Sequence, residues 1–169
     1  ARTLGLAEER VLAAYDSFVN IEGRIDQAVL GEKTIHYMRT KQENPDTLQS
    51  ALDAIAADKG RKVVLLGLCT IDDVIPHYSN TFYSYDCDFD GMLAGDVEKF
   101  ICFEKTTCAD MAAFAGRLPE EKIEILPTTD PEEILAAVGR CKSNQVYLIT
   151  LLKIFHEIKA AAEQKTREV

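Results

Sequence analysis

The chain has 169 residues, enough for one domain with a sizeable buried core. Apolar residues make up 47% and charged residues 28%, and 28 Asp and Glu against 19 Lys and Arg leave a net charge of −9. That balance argues against nucleic acid or an anionic membrane surface as the main partner, since both demand a basic face. No apolar run approaches the ~20 residues of a membrane span, and no signal peptide opens the chain. Five cysteines (Cys69, Cys87, Cys102, Cys108, Cys141) without a C-x-x-C spacing argue against a disulfide framework or a zinc ribbon. They predict reduced thiols and a cytoplasmic location.

Val11, Leu12, Tyr15, Phe18 and Val19 recur at helical spacing and predict a helix over 6–19. The runs 25–30 and 33–38, separated by Gly31-Glu32, predict a β-hairpin. Pro45 holds Asn44 extended, and Leu48, Ala51, Leu52 and Ile55 then repeat helically as far as Lys59-Gly60. Residues 63–68 form a continuous apolar run, as in a strand buried on both faces of a parallel sheet. From Cys69 to Asp90 the chain is polar and aromatic, with one short strand candidate at 82–85. Strands are predicted at 99–103 and 122–126, with a helix over 109–117 between them. Asp130-Pro131-Glu132-Glu133 reads as an N-cap, a proline at the first helical position and a capping acid, for a helix reaching Arg140. A strand over 146–150 and a helix over 151–166 close the chain. From Val63 onward strands and helices alternate. This predicts an α/β fold, a mostly parallel sheet between helices in three Rossmann-like layers, with the hairpin at one end.

Short motifs are weighed against simpler readings. Gly31-Glu32-Lys33-Thr34 resembles the end of a phosphate-binding loop, but Glu32 separates the glycine from the lysine and the earlier glycine is missing. A hairpin turn is the better reading. Asp86, Asp88 and Asp90 before Gly91 match the start of an EF-hand calcium loop, yet the twelfth position is Val97 where a bidentate Glu is needed. An acidic loop at the carboxyl end of a strand is expected instead. His36 and His156 lie in apolar-patterned elements and read as structural or exposed. His77, in the polar stretch, is the one histidine kept as a site candidate. Cys108, near a helix start, reads as a small core residue.

Gly23-Arg24-Ile25-Asp26, a hairpin, Asn44-Pro45-Asp46-Thr47-Leu48 and a helix with Ala51-Leu52 follow one another in an order that resembles the C-terminal domain of the Mur ligase and folylpolyglutamate synthase superfamily. Tyr83-Ser84-Tyr85-Asp86-Cys87-Asp88-Phe89-Asp90, Ala109-Asp110-Met111-Ala112 and Arg117-Leu118 resemble the MurT type of ligase subunit. That subunit amidates a peptidoglycan precursor together with a GatD glutaminase. The resemblance covers nearly the whole chain and implies one Rossmann-like domain, residues 1–169, excised from a longer multidomain ligase whose central domain carries the ATP-binding loop. It implies that Arg24 and the Asn44-Pro45 loop face the nucleotide. It implies ATP and Mg2+ as cofactors of the full-length ligase and none for the isolated domain, which assigns no catalytic residue to this chain. The implied partners are the central domain and a GatD-like glutaminase, met through Asn80, Tyr83, Tyr85 and Asp86.

The sequence departs from the family at three places, one of them Thr150-Leu151-Leu152-Lys153, which replaces the near C-terminal Thr-Tyr-Thr-Ala-Met-Leu of the MurT type. Thr40-Lys41-Gln42-Glu43 replaces the usual Asp-x-Ala-His before Asn-Pro, and Glu43 would repel phosphate. Asn80 stands where a carboxylate would complete the partner's Cys-His triad; an Asn orients an imidazole but does not stabilise its charged form as a carboxylate does. These departures keep an alternative open: a non-catalytic α/β interaction domain that retained the fold and lost the ligase chemistry.

Overall fold

The computed structural model describes residues 7–16, 25–40, 45–68, 86–105, 107–108 and 120–167. Their elements in chain order are α1 (Glu8–Asp16), β1 (Ile25–Leu30), β2 (Lys33–Arg39), α2 (Pro45–Ala57), β3 (Lys62–Gly67), α3 (Phe89–Leu93), β4 (Val97–Phe103), a 3-10 turn (Glu120–Lys122), β5 (Ile123–Leu126), α4 (Pro131–Arg140), β6 (Gln145–Thr150) and α5 (Leu152–Arg167). The strands form a six-stranded sheet in the order β1-β2-β6-β3-β4-β5. Only the β1–β2 hairpin is antiparallel, with Ile25 opposite Met38 and Leu30 opposite Lys33; β2, β6, β3, β4 and β5 run parallel. Gly31, at φ +58°, supplies the left-handed turn residue of the hairpin.

Alternation along each strand builds two cores. Val63 and Leu65 join Val146, Leu148, Ile101 and Phe103 beneath α4 and α5, while Val64 and Leu66 join Ile149, Phe100 and Cys102 beneath α2 and α3. Every residue of β3 is buried, so a continuous apolar run is what this position requires. The helices supply matching stripes: Leu48, Ala51, Leu52 and Ile55 from α2, and Ile154, Phe155, Ile158 and Ala162 from α5. Tyr37 lies flat on Phe155, with ring centroids 4.3 Å apart.

The hairpin, the helix starting at Pro45 and the five parallel strands lie where the sequence predicts them, with β3 and β4 starting slightly earlier. Asp130 caps α4 by accepting the Glu132 amide at 2.9 Å, with Pro131 at the first helical position. The acidic stretch differs from expectation. Asp88 is the N-cap of α3 and accepts the Gly91 amide at 2.8 Å, while Phe89 and Met92 are buried. The stretch therefore opens a helix, because a capping aspartate and two apolar anchors outweigh its acidic loop-like composition. The helix predicted at 109–117, the strand candidate at 82–85 and the residues flanking α1 lie outside the described residues.

Candidate functional site

The five parallel strands end at one edge of the sheet, where α/β proteins place ligand sites. The chain passes from β2 across β6 to β3, continues outward to β4 and β5, and returns through α4 to insert β6 between β2 and β3. Buried polar residues divide between the two edges. Thr40, Glu104, Thr107 and Thr150 lie at the carboxyl edge; Lys62 and Ser143 lie at the amino edge.

The amino edge is stitched by structural contacts. Glu98 accepts the Lys142 and Ser143 amides at 2.7 and 2.8 Å and pairs with Arg61 at 3.2 Å. Lys33 donates to the Cys141 and Ser143 carbonyls at 2.7 and 2.8 Å. The lysine of the phosphate-loop look-alike is thus committed to the carbonyls that follow α4. A cavity of about 460 Å³ beside the hairpin turn is lined mainly by apolar groups, including Leu30, Leu135 and Gly139.

At the carboxyl edge, separated parts of the sequence converge on the end of β2. Ile25, at the start of β1, pairs with Met38 at this exit. Pro45, which starts α2, follows the same exit. The acidic stretch closes the corner: the Cys87 thiol donates to the Pro45 carbonyl at 3.6 Å, and the Asp88 amide donates to Gln49 Oε1 at 2.7 Å. The two site groups read separately in the sequence, around Pro45 and around Asp86, therefore share one corner. Arg24, Asn44, Asn80, Tyr83 and Tyr85, and also His77, lie outside the described residues.

Two buried hydroxyls near the end of β2 are unsatisfied, though the Tyr37 ring lies against Phe155 beneath α5, on the sheet face opposite α2 and Cys87. Tyr37 Oη and Thr40 Oγ1 are buried and have no hydrogen-bond partner among the described residues. Orphaned hydroxyls are costly unless something meets them. The local field is negative. Burial, then Asp86 and Asp46, push the Cys87 thiol up from its ordinary range, which disfavours a thiolate nucleophile there. Among the described residues no group of three His, Cys, Asp or Glu side chains can hold a metal ion. Val97, which stands where an EF-hand needs its closing carboxylate, is buried at the start of β4.

His36 is structural. Its ring stacks on Tyr147 at 5.1 Å and bridges Gln27 and Gln145 at 3.0 and 2.8 Å. Tyr147 in turn donates to Asp58 at 2.9 Å; burial and that carboxylate push its phenol up to about 12. Cys108 is a core residue whose thiol is raised by burial. Sequence reasoning did not single out Thr40, Glu104, Thr107 or Thr150. Thr40 and Thr150 did carry a signal, a hydroxyl at the end of an apolar run; Glu104 carried none.

A family model described as MurT ligase C-terminal matches residues 42–152. No curated protein sequence matches the chain. The fold is that of the equivalent part of solved Mur ligases. A crystal structure of MurF from Acinetobacter baumannii is 11% identical, with a TM-score of 0.60 over 93% of this chain and 34% of that one. A second from the same organism gives 12% and 0.58 over 93% and 35%. MurF ligase from Thermotoga maritima in complex with ADP gives 18% and 0.56 over 97% and 36%. The chain spans about a third of the length of these structures.

Proposed function

The chain belongs to the MurT ligase C-terminal family, and from that premise we propose that it is the C-terminal domain of an ATP-dependent amide ligase acting on a peptidoglycan precursor with a glutaminase partner. In the full-length ligase, ATP with Mg2+ would supply an activated carboxylate for attack by an amine or ammonia. The observation that carries this reading is the corner at the β2 exit. There Pro45, at the start of α2, is joined to the acidic stretch through Cys87, and Thr40, one residue beyond β2, has a buried hydroxyl without a partner among the described residues. A hydroxyl donor and the start of α2, with the arginine that the family resemblance assigns there, Arg24, suit a nucleotide's phosphate oxygens. Asn80, Tyr83, Tyr85 and Asp86 are the proposed contacts to the glutaminase.

The acidic surroundings favour a second reading, an interaction domain without ligase chemistry. Asp46 and Asp86 both oppose negative charge at the corner.

One measurement tests the split site and a second separates the readings. Calorimetric titration of the isolated chain with ATP and Mg2+ is expected to give nothing tighter than about millimolar, ~4 kcal/mol, because the domain holds only part of a nucleotide site. In the full-length protein, Arg24→Ala is expected to weaken ATP-dependent amide formation. Micromolar binding by the isolated chain overturns the split site; unchanged amide formation, or none in the parent protein, overturns the ligase reading.

A further inference from the structure

Four of the five parallel strand exits are tied together by side-chain and backbone hydrogen bonds. Thr107 Oγ1 accepts the Leu68 amide at 2.8 Å and lies 3.1 Å from the Leu68 carbonyl, to which it donates. One hydroxyl thus grips both backbone groups of the residue that follows β3. Glu104, directly after β4, holds Thr107 in turn: its carboxylate accepts the Thr107 amide at 3.0 Å. The Glu104 amide donates to the Thr128 carbonyl beyond β5 at 2.9 Å, and its own carbonyl accepts the Cys108 amide at 2.9 Å. Thr150, at the end of β6, donates to the Gly67 carbonyl at 2.7 Å.

Glu104 is also the one non-glycine residue with positive φ among those described, at +69°. A side chain in the left-handed region is strained and persists only where its surroundings over-determine it. Here contacts on both sides of the residue do so, and Glu104 and Thr107 are both buried.

We propose that Glu104 and Thr107 form a conformational latch that fixes the exit of β3 to those of β4 and β5, and that this exit opens separately from the core of the sheet. The geometry gives the latch its independence. The Leu68 amide depends on a single hydroxyl from another element, whereas Leu65 and Leu148 are paired within the sheet. A segment secured by few side-chain contacts opens at lower free energy than the strands it leaves. The latch does not depend on the ligase reading.

The test is amide hydrogen exchange on the full chain, read at Leu68, with Leu65 and Leu148 as internal controls. Thr107→Val keeps the side chain's shape and removes its hydroxyl. Exchange at Leu68 is expected to rise about tenfold, while the two controls stay as in the native chain. Thr107→Ser, which restores a hydroxyl, is expected to return Leu68 toward native protection. An unchanged Leu68 in Thr107→Val overturns the latch. So does an equal rise at all three amides, or failure of the variant to fold, because each would make Thr107 part of the global core.

Discussion

The Cys87 thiol donates to the Pro45 carbonyl across 3.6 Å, joining residues 42 positions apart. This contact, with the Asp88 amide on Gln49, seats the acidic stretch on the first turn of α2. Asp86 and Asp46 therefore lie at one corner, where burial and then both charges raise the Cys87 thiol.

Calcium is expected to leave the melting temperature unchanged. Asp88 is engaged as the α3 cap and Val97 is buried in β4, so an EF-hand loop cannot close. Thermal unfolding with calcium and with magnesium checks this. A rise with calcium alone would show selective binding to the folded state.

Gly67 faces the Phe103 ring so closely that a Cβ would stand 2.2 Å from it. Gly67→Ala is expected to cost about 1–3 kcal/mol through overpacking. Denaturant unfolding measures the loss. Gly67→Ala combined with Phe103→Leu is expected to recover part of it, because the two sites share one contact. A loss in the double variant equal to the sum of the single losses would refute the clash.

Glu98 gives the fold an acid limit. Burial alone would raise its carboxyl, but the Lys142 and Ser143 amides, with Arg61 and Lys33, outweigh burial and hold it below 4.5. A carboxyl depressed in the folded state contributes stability that is present above its unfolded value and is lost as pH falls through the folded one. Stability is therefore expected to decline below about pH 4.5. Glu98→Gln should lower stability by about 1–2 kcal/mol at neutral pH and flatten the acid slope. Urea midpoints between pH 3 and 7 for both proteins check this; identical slopes would remove Glu98 from the explanation.

Much of the fold was legible in the sequence because local chemistry and tertiary demand agree there. The turn at Gly31-Glu32, the proline-led start of α2, the apolar run of β3 and the Asp130 cap each act within a few residues, and each lies where its pattern predicts. The start of α3 was not legible. Asp86-Cys87-Asp88 has the composition of a loop, and its helix depends on burying Phe89 and Met92 against α2, which no local pattern announces.

The candidate site divides in the same way. Residue order alone pointed to Arg24, Asn44-Pro45 and Asp86, because those positions carry the family's motifs. That Pro45 and Asp86 share a corner depended on the packing of residues 86–90 against α2. The Glu104–Thr107 pair lay beyond sequence reading. Its role comes from Leu68, 39 residues from Thr107, and from a backbone angle that only the assembled exits of β3, β4 and β5 impose. Sequence determined which segments become strands and helices, because propensity, capping and hydrophobic period act locally. Tertiary structure decided which polar groups meet at the carboxyl edge, because hydrogen bonds between distant residues exist only once strand order has brought them together.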